Sequence, residues 1–283
     1  MLSLEKPNIP PTTAVRACLI GKRGEESIVR LINAEKIEFS EKQFVAALVA
    51  DAVHKLDPDD FSLTGISTSD LYRILYEEGL VTRVDGRSVY NRILATSPNR
   101  LCPLCGMNQV TSLDHHLPKT VFPTLCVSAA NLIPACGECN LLKGKHYPRS
   151  AIEHTLHPYF DNALSETWLD AVVVEDKSTA RPPHVEYSVS APTSWPLTLV
   201  KRAEYHLSKF QLRSRYALAM NAMLSEQQRL FVELHQLFGP DGVKRYAAAQ
   251  SESALEANAN SFRGIAFRAM SSSDWFCDGG FEF

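Results

Sequence analysis

The chain lacks several features that would narrow its role at once. No apolar run approaches the roughly 18 residues that signal a membrane-spanning helix, so no membrane partner is expected. The opening, MLSLEKPNIPPTT, lacks the charged-then-apolar pattern of a secretory leader. Charge of one sign is also scarce: 29 Lys and Arg stand against 32 Asp and Glu, a net charge of −3. That argues against a protein that coats nucleic acid through bulk charge and leaves only local basic patches. There is no internal repeat, no low-complexity tract, no zinc-finger helix, no RNP signature and no long basic arm.

What is present is ordinary for a globular protein, with 45% hydrophobic and 22% charged residues over 283 positions, enough to bury a sizeable core. The cysteines are less ordinary. Four of the seven fall into two CxxC pairs, Cys102 with Cys105 and Cys136 with Cys139. Such pairing suits metal-bound thiolates in a reducing cytosol better than a disulfide scaffold, and a cytoplasmic location is expected. Four thiolates in two knuckles match a closed, structural zinc site. Thirty residues separate the pairs, and closing such a loop costs about 3 kcal/mol of chain entropy. Structural zinc binds with roughly 10–16 kcal/mol, ample to hold it shut. Cys18, Cys126 and Cys277 have no such partners and read as packing residues. A zinc ion on four cysteines has no open position, so any chemistry must come from residues inside the clamp.

The periodicity around the clamp is mostly helical. Ser40 and Gln43 form a capping-box start to a helix through Phe44, Leu48, Ala52 and Leu56, stopped by DPDD. Ser69 or Asp70 is expected to cap a second helix ending near Gly79, and a third spans Arg87 to Thr96. Beyond the cysteines, TWLDAVVV and HVEYSVS read as strands, the second through alternating Val185, Tyr187 and Val189. From Trp195 an apolar stripe runs through Tyr216, Met220, Phe231, Leu237 and Phe238 until GPDG breaks it. The expected fold class is α+β: a small module in a mostly helical body, with a short β-hairpin after it. The expected segments are a helical region at 1–98, the module at 99–148, and the hairpin with C-terminal helices at 149–283.

Within the module, LDHHLPK and CGECNLLKG place Asp114 and His115 before Pro118, then Asn131, then Asn140 and Lys143. These residues resemble the HNH endonucleases, the ββα-metal family, over about a sixth of the chain. The resemblance implies two strands and a helix around one catalytic divalent ion, magnesium or manganese, with the cysteine pairs bracing them by a structural zinc. It assigns Asp114 and Asn140 as ligands of that ion, His115 as the general base for phosphodiester hydrolysis, and Asn131 as the residue that orients the histidine and ties down the loop. Asparagine at 140 stands where many members have histidine. Adjacent strand residues face opposite ways, so His115 and His116 cannot both face the metal. The proline offset favours His115 as base; the shifted register, with His115 on the metal and His116 as base, stays open. Lys119, Lys143 and Lys145 give the module a positive bias toward phosphates. His154 and His157, three apart, read as a helix end running into a turn.

The layout also resembles stand-alone HNH proteins of bacterial defence systems of the PtuB type, some of which work beside an ATPase. DNA is the expected substrate, with RNA the alternative, and a protein such as an ATPase is the candidate partner. The apolar stripe and the aromatic tail at Trp275, Phe276, Phe281 and Phe283 are the candidate docking surfaces. The competing reading is a non-catalytic zinc module that recruits nucleic acid or a protein.

Overall fold

A computed structural model describes residues 1–161, 165–175 and 183–282. It is a mixed α+β structure, rich in helix, with two small antiparallel sheets. The chain divides into two compact units, Ser3–Asp161 and Asn162–Phe283, the latter with Met1–Leu2. Among the described residues no helix is long and apolar enough to cross a membrane.

The first unit begins with α1 (Pro11–Leu19), α2 (Glu26–Val29) and α3 (Ala34–Val49). The capping box expected at Ser40 is not the start of α3. Asn33 caps it, its side chain accepting from the Lys36 N–H, and Ser40 lies inside, donating to the Lys36 carbonyl at 2.9 Å. Asn33 is as good a cap as serine, and the apolar face extends back to Ile37, so the longer helix wins. Likewise Ser67, not Ser69 or Asp70, caps α4 (Thr68–Tyr72). That helix continues in π-helical turns through Arg73–Thr82, past Gly79. Next comes α5 (Val84–Leu94). At Gly86 any Cβ would stand 2.3 Å from the Gly79 carbonyl oxygen, so glycine is what lets α5 lie against that turn. Leu71, Leu75, Leu80, Val89 and Ile93 form one core with Leu113 and Leu132 from the module; Phe44, Phe61, Leu117, Phe122 and Leu125 form another.

The module supplies β1 (Ser112–His115), β2 (Leu132–Ala135) and α6 (Gly137–Lys143). The strands are antiparallel, with Ser112 opposite Ala135 and His115 opposite Leu132.

In the second unit β3 (Leu169–Val174) pairs with β4 (His184–Val189). Leu169, Ala171, Val185 and Tyr187 form the buried face of this hairpin. Three helices follow, α7 (Leu197–Lys209), α8 (Leu212–Ala257) and α9 (Phe262–Ser271). The expected break falls at Gly239, φ 66°, just before Pro240, after which α8 resumes. The apolar stripe divides: Tyr216, Met220 and Phe231 are buried, whereas Leu237 and Phe238 are exposed. Of the aromatic tail, Phe276 and Phe281 fold back onto Phe231, with ring centroids 5.4 and 5.6 Å away, and Phe283 lies outside the described residues.

Candidate functional site

The first cysteine pair sits in a turn closed by a bridge between Leu101 and Gln109. Gly106, φ 65°, donates its N–H to the Cys102 carbonyl at 2.7 Å and takes the left-handed conformation such a knuckle needs. The second pair opens α6. Cys136 follows β2 directly, and its sulfur caps the helix by accepting the Cys139 N–H at 3.5 Å. Asn108 donates to Glu138 at 3.0 Å, joining the two turns. All four sulfurs are buried and lie within 4.8 Å of one another, Cys105 and Cys136 at 3.9 Å. A tetrahedral zinc ion with Zn–S bonds of about 2.3 Å requires sulfurs about 3.8 Å apart. The cluster therefore fits a four-thiolate metal such as zinc, and none of its members is in a disulfide. Hydrogen bonding among the four thiols splits them: Cys105 and Cys136 are drawn below the usual thiol range, Cys136 to about 6, while Cys102 and Cys139 are pushed above it.

Between these turns, β1 is held from outside. The outward edge of β1 is held by two tyrosines: the Leu113 N–H donates to the Tyr90 hydroxyl at 3.0 Å, and the Tyr76 hydroxyl donates to the Leu113 carbonyl at 3.2 Å. Asp114 follows, 5% exposed. One of its oxygens faces the Lys143 ammonium at 3.4 Å; the other, Oδ2, is buried with no hydrogen-bond partner. Burial pushes the carboxyl up to about 6, against the opposing pull of Lys143.

His115 Nε2 lies 2.9 Å from the Cys126 carbonyl. A carbonyl only accepts, so Nε2 carries the proton and Nδ1 keeps its lone pair. The Tyr76 ring packs against the imidazole at 4.4 Å. Burial lowers the histidine to about 3 and keeps it neutral, with the Cys126 bond opposing.

Asn131 makes no hydrogen bond to His115 in this arrangement. It accepts from the Leu117 N–H at 2.7 Å and donates to the carbonyls of Leu117 and Leu125, at 2.9 and 3.2 Å. It ties the loop whose next residue, Cys126, supplies the carbonyl that orients His115. Asn140, on α6, donates to the Ser112 hydroxyl at 3.3 Å and so fastens the helix to the start of β1.

The strand alternation holds for the histidine pair. His116 turns away from His115 and packs against His154 and His157; Nε2 of His116 and Nε2 of His154 are 2.7 Å apart. His157 Nε2 meets the Ala130 carbonyl at 3.1 Å. His116 is thus buried among His154, His157 and Phe44.

The lysines expected at phosphates are differently placed. Lys119 pairs with Glu77 at 2.7 Å and lies over the rings of Tyr72 and Tyr76. Lys143 is buried on Asp114, and Lys145 alone of the three is exposed. Sequence reasoning missed Tyr76, Tyr90 and the Cys126 carbonyl. The tyrosines carry no motif, and a backbone carbonyl leaves no trace in a sequence.

No family model matches the chain, and no solved structure does. The chain is similar to protein ea31 of Escherichia phage lambda, 29% identical over 192 residues that cover 65% of this chain and 63% of ea31. It is also similar to the Septu protein PtuB of Bacillus thuringiensis, 31% identical over 87 residues that cover 26% of this chain and 34% of PtuB. The chain thus spans less than two thirds of the length of either relative.

Proposed function

We propose that the chain is a metal-dependent endonuclease of the HNH type that hydrolyses phosphodiester bonds of DNA. The observation that carries the reading is the setting of β1. The strand carries, at consecutive positions, an Asp114 whose buried Oδ2 no protein group satisfies and a neutral His115 whose proton the Cys126 carbonyl fixes on Nε2. A structural zinc site requires neither residue.

In this reading His115 Nδ1 takes a proton from the attacking water, the water oxygen bonds to phosphorus, and the bond to the 3′ oxygen breaks. Asp114 and Asn140 offer the hard oxygen donors that suit magnesium or manganese. When bound, such an ion stabilises the charge that develops on the phosphate and the leaving oxygen. Tyr76 and Cys126 keep the imidazole in place, and Asn131 keeps the loop that carries Cys126. Similarity to the Septu protein PtuB supports a place in a bacterial defence system; a cytosolic location and an ATPase partner belong to the same proposal.

A second reading has its own observation. The buried Lys143 ammonium already supplies a positive charge to Asp114, which would suit a zinc module that recruits nucleic acid or protein without cutting. The test is plasmid cleavage with added magnesium or manganese by the wild type and by His115→Ala. The nuclease reading expects His115→Ala to lose on the order of 10²–10⁴ in rate with zinc content and melting temperature unchanged. Equal cleavage by both proteins refutes it. No metal-dependent cleavage of plasmid or RNA by the zinc-loaded wild type supports the non-catalytic reading.

A further inference from the structure

The fate of the basic residues in the first unit points to where nucleic acid would lie. Many are neutralised at home. Lys22 pairs with Glu25 and Glu78, Arg73 with Glu25, Asp70 and Glu78, Lys119 with Glu77, and Lys143 with Asp114. The outer face of α5 is different. An open groove of about 650 Å³ runs along it, lined by Thr82, Arg87, Ser88, Asn91 and Arg92 with the exposed Val84 beside them. No carboxylate lines this groove. Arg87 lies over the Tyr90 ring at 4.4 Å and gives one of its five N–H donors to the Val81 carbonyl at 3.5 Å, which leaves the others for a ligand. Among the described residues neither Arg87 nor Arg92 has an ion-pair partner. Two unneutralised guanidiniums, the Ser88 hydroxyl and the Asn91 amide form a donor-rich surface, and phosphate oxygens are its complement; the Thr82 hydroxyl is spent on the Glu77 carbonyl at 2.7 Å.

The same helix is fastened to the candidate catalytic strand. On its buried side Tyr90 takes the Leu113 N–H, one residue before Asp114. The groove and β1 therefore stand on opposite faces of a single helix, which measures about 10–12 Å across with its side chains.

We propose that the outer face of α5 binds the sugar-phosphate backbone of the nucleic acid substrate, with Arg87 and Arg92 on phosphates and Ser88 and Asn91 beside them. The inference rests on the nuclease reading and adds to it where the substrate runs. Such contacts position a duplex without reading its sequence, in keeping with the absence of any base-reading motif.

The experiment is fluorescence anisotropy of a short labelled DNA duplex over a salt series, with the full chain and no added divalent metal. The variants are Arg87→Gln with Arg92→Gln, Arg92→Gln alone, and a charge-matched control, Lys42→Gln with Lys55→Gln, elsewhere in the same unit. Thermal melting checks each fold, and Arg92→Gln, which disturbs no ring contact, keeps the test sound if the double variant melts early. The double variant is expected to bind more weakly, with the salt slope shallower by about 1.8, two phosphate contacts at about 0.9 each. The control is expected to bind as the wild type does. Unchanged affinity and slope in the α5 variants, an equal loss in the control, or no duplex binding by the wild type overturns the proposal. Plasmid cleavage is scored in parallel. Cleavage by a wild type whose binding ignores Arg87 and Arg92 sinks this inference alone, whereas duplex held through α5 but never cut sinks the nuclease reading alone.

Discussion

The interiors of the two units differ in balance. In Ser3–Asp161 the buried set includes Asp114, His115, His116, Asn131, Lys143, His154 and His157, none more than 8% exposed, beside Phe44, Phe61 and Phe122. In the unit from residue 162 onward Arg202, His206, Ser251 and Asn260 are buried, but Trp168, Tyr216, Phe231, Phe267, Phe276 and Phe281 make up most of the buried bulk. Burying polar groups is costly unless each finds a partner, whereas aromatic packing stabilises on its own account. The unit that concentrates polar burial is also the unit with four thiols poised for a metal. A clamp of that kind can offset what a polar interior costs. The aromatic unit has no comparable metal cluster among its described residues and needs none.

The comparison is broken most severely at the clamp. Cys136→Ser is expected to release the single zinc and unfold the first unit, because structural zinc contributes roughly 10–16 kcal/mol in small peptides. Elemental analysis and limited proteolysis of the full chain check it: about one zinc per wild-type chain is expected from the four-ligand rule, with early cuts inside Ser3–Asp161 in the variant. A variant that keeps its zinc and its protease resistance removes the clamp from the account.

A smaller effect is expected at a well-bonded polar side chain of the aromatic unit. Asn260, fully buried, accepts the N–H groups of Trp168 and Leu169 at 3.0 Å each and donates to the Glu166 carbonyl at 2.7 Å. Asn260→Ala strands those groups, at about 1–3 kcal/mol apiece. Urea unfolding should show the loss while zinc content stays at the wild-type level. Zinc loss in this variant would mean that the interiors are less separate than their composition suggests.

The smallest effect is expected at Leu237→Ser. Leu237 is 72% exposed at the end of the α8 stripe, and surface changes of this kind stay within about 0.5 kcal/mol. A larger drop in urea stability would show that the end of the stripe is covered in solution.

Much of the candidate site was legible in the sequence because its parts are local. Two residues between paired cysteines set a knuckle, and adjacency puts His115 next to Asp114 whatever the fold. The helix starts were less legible. Ser40 and Asn33 both satisfy a capping pattern, and only packing of the face that includes Ile37 chose between them. The partners of the lysines were not legible either, for a related reason. Lys119 and Lys143 read as free charges until helices distant in sequence brought Glu77 and β1 brought Asp114 against them. The apolar stripe split because helical period alone cannot say where the covering neighbours end.

By itself, then, the sequence determined the four-thiol cluster, the β-hairpin with its alternating inner face, the break at Gly239, and the order of Asp114, His115, Asn131 and Asn140. Each of these depends on covalent spacing or on the backbone preferences of a few neighbouring residues. Tertiary structure alone decided that the Cys126 carbonyl orients His115, that Tyr76 and Tyr90 hold Leu113, that His116 meets His154 across 38 positions, and that Arg87 and Arg92 are left without carboxylates. Those are contacts between groups far apart in the chain, and a hydrogen bond or an ion pair exists only when folding has brought both partners within about 3 Å of each other.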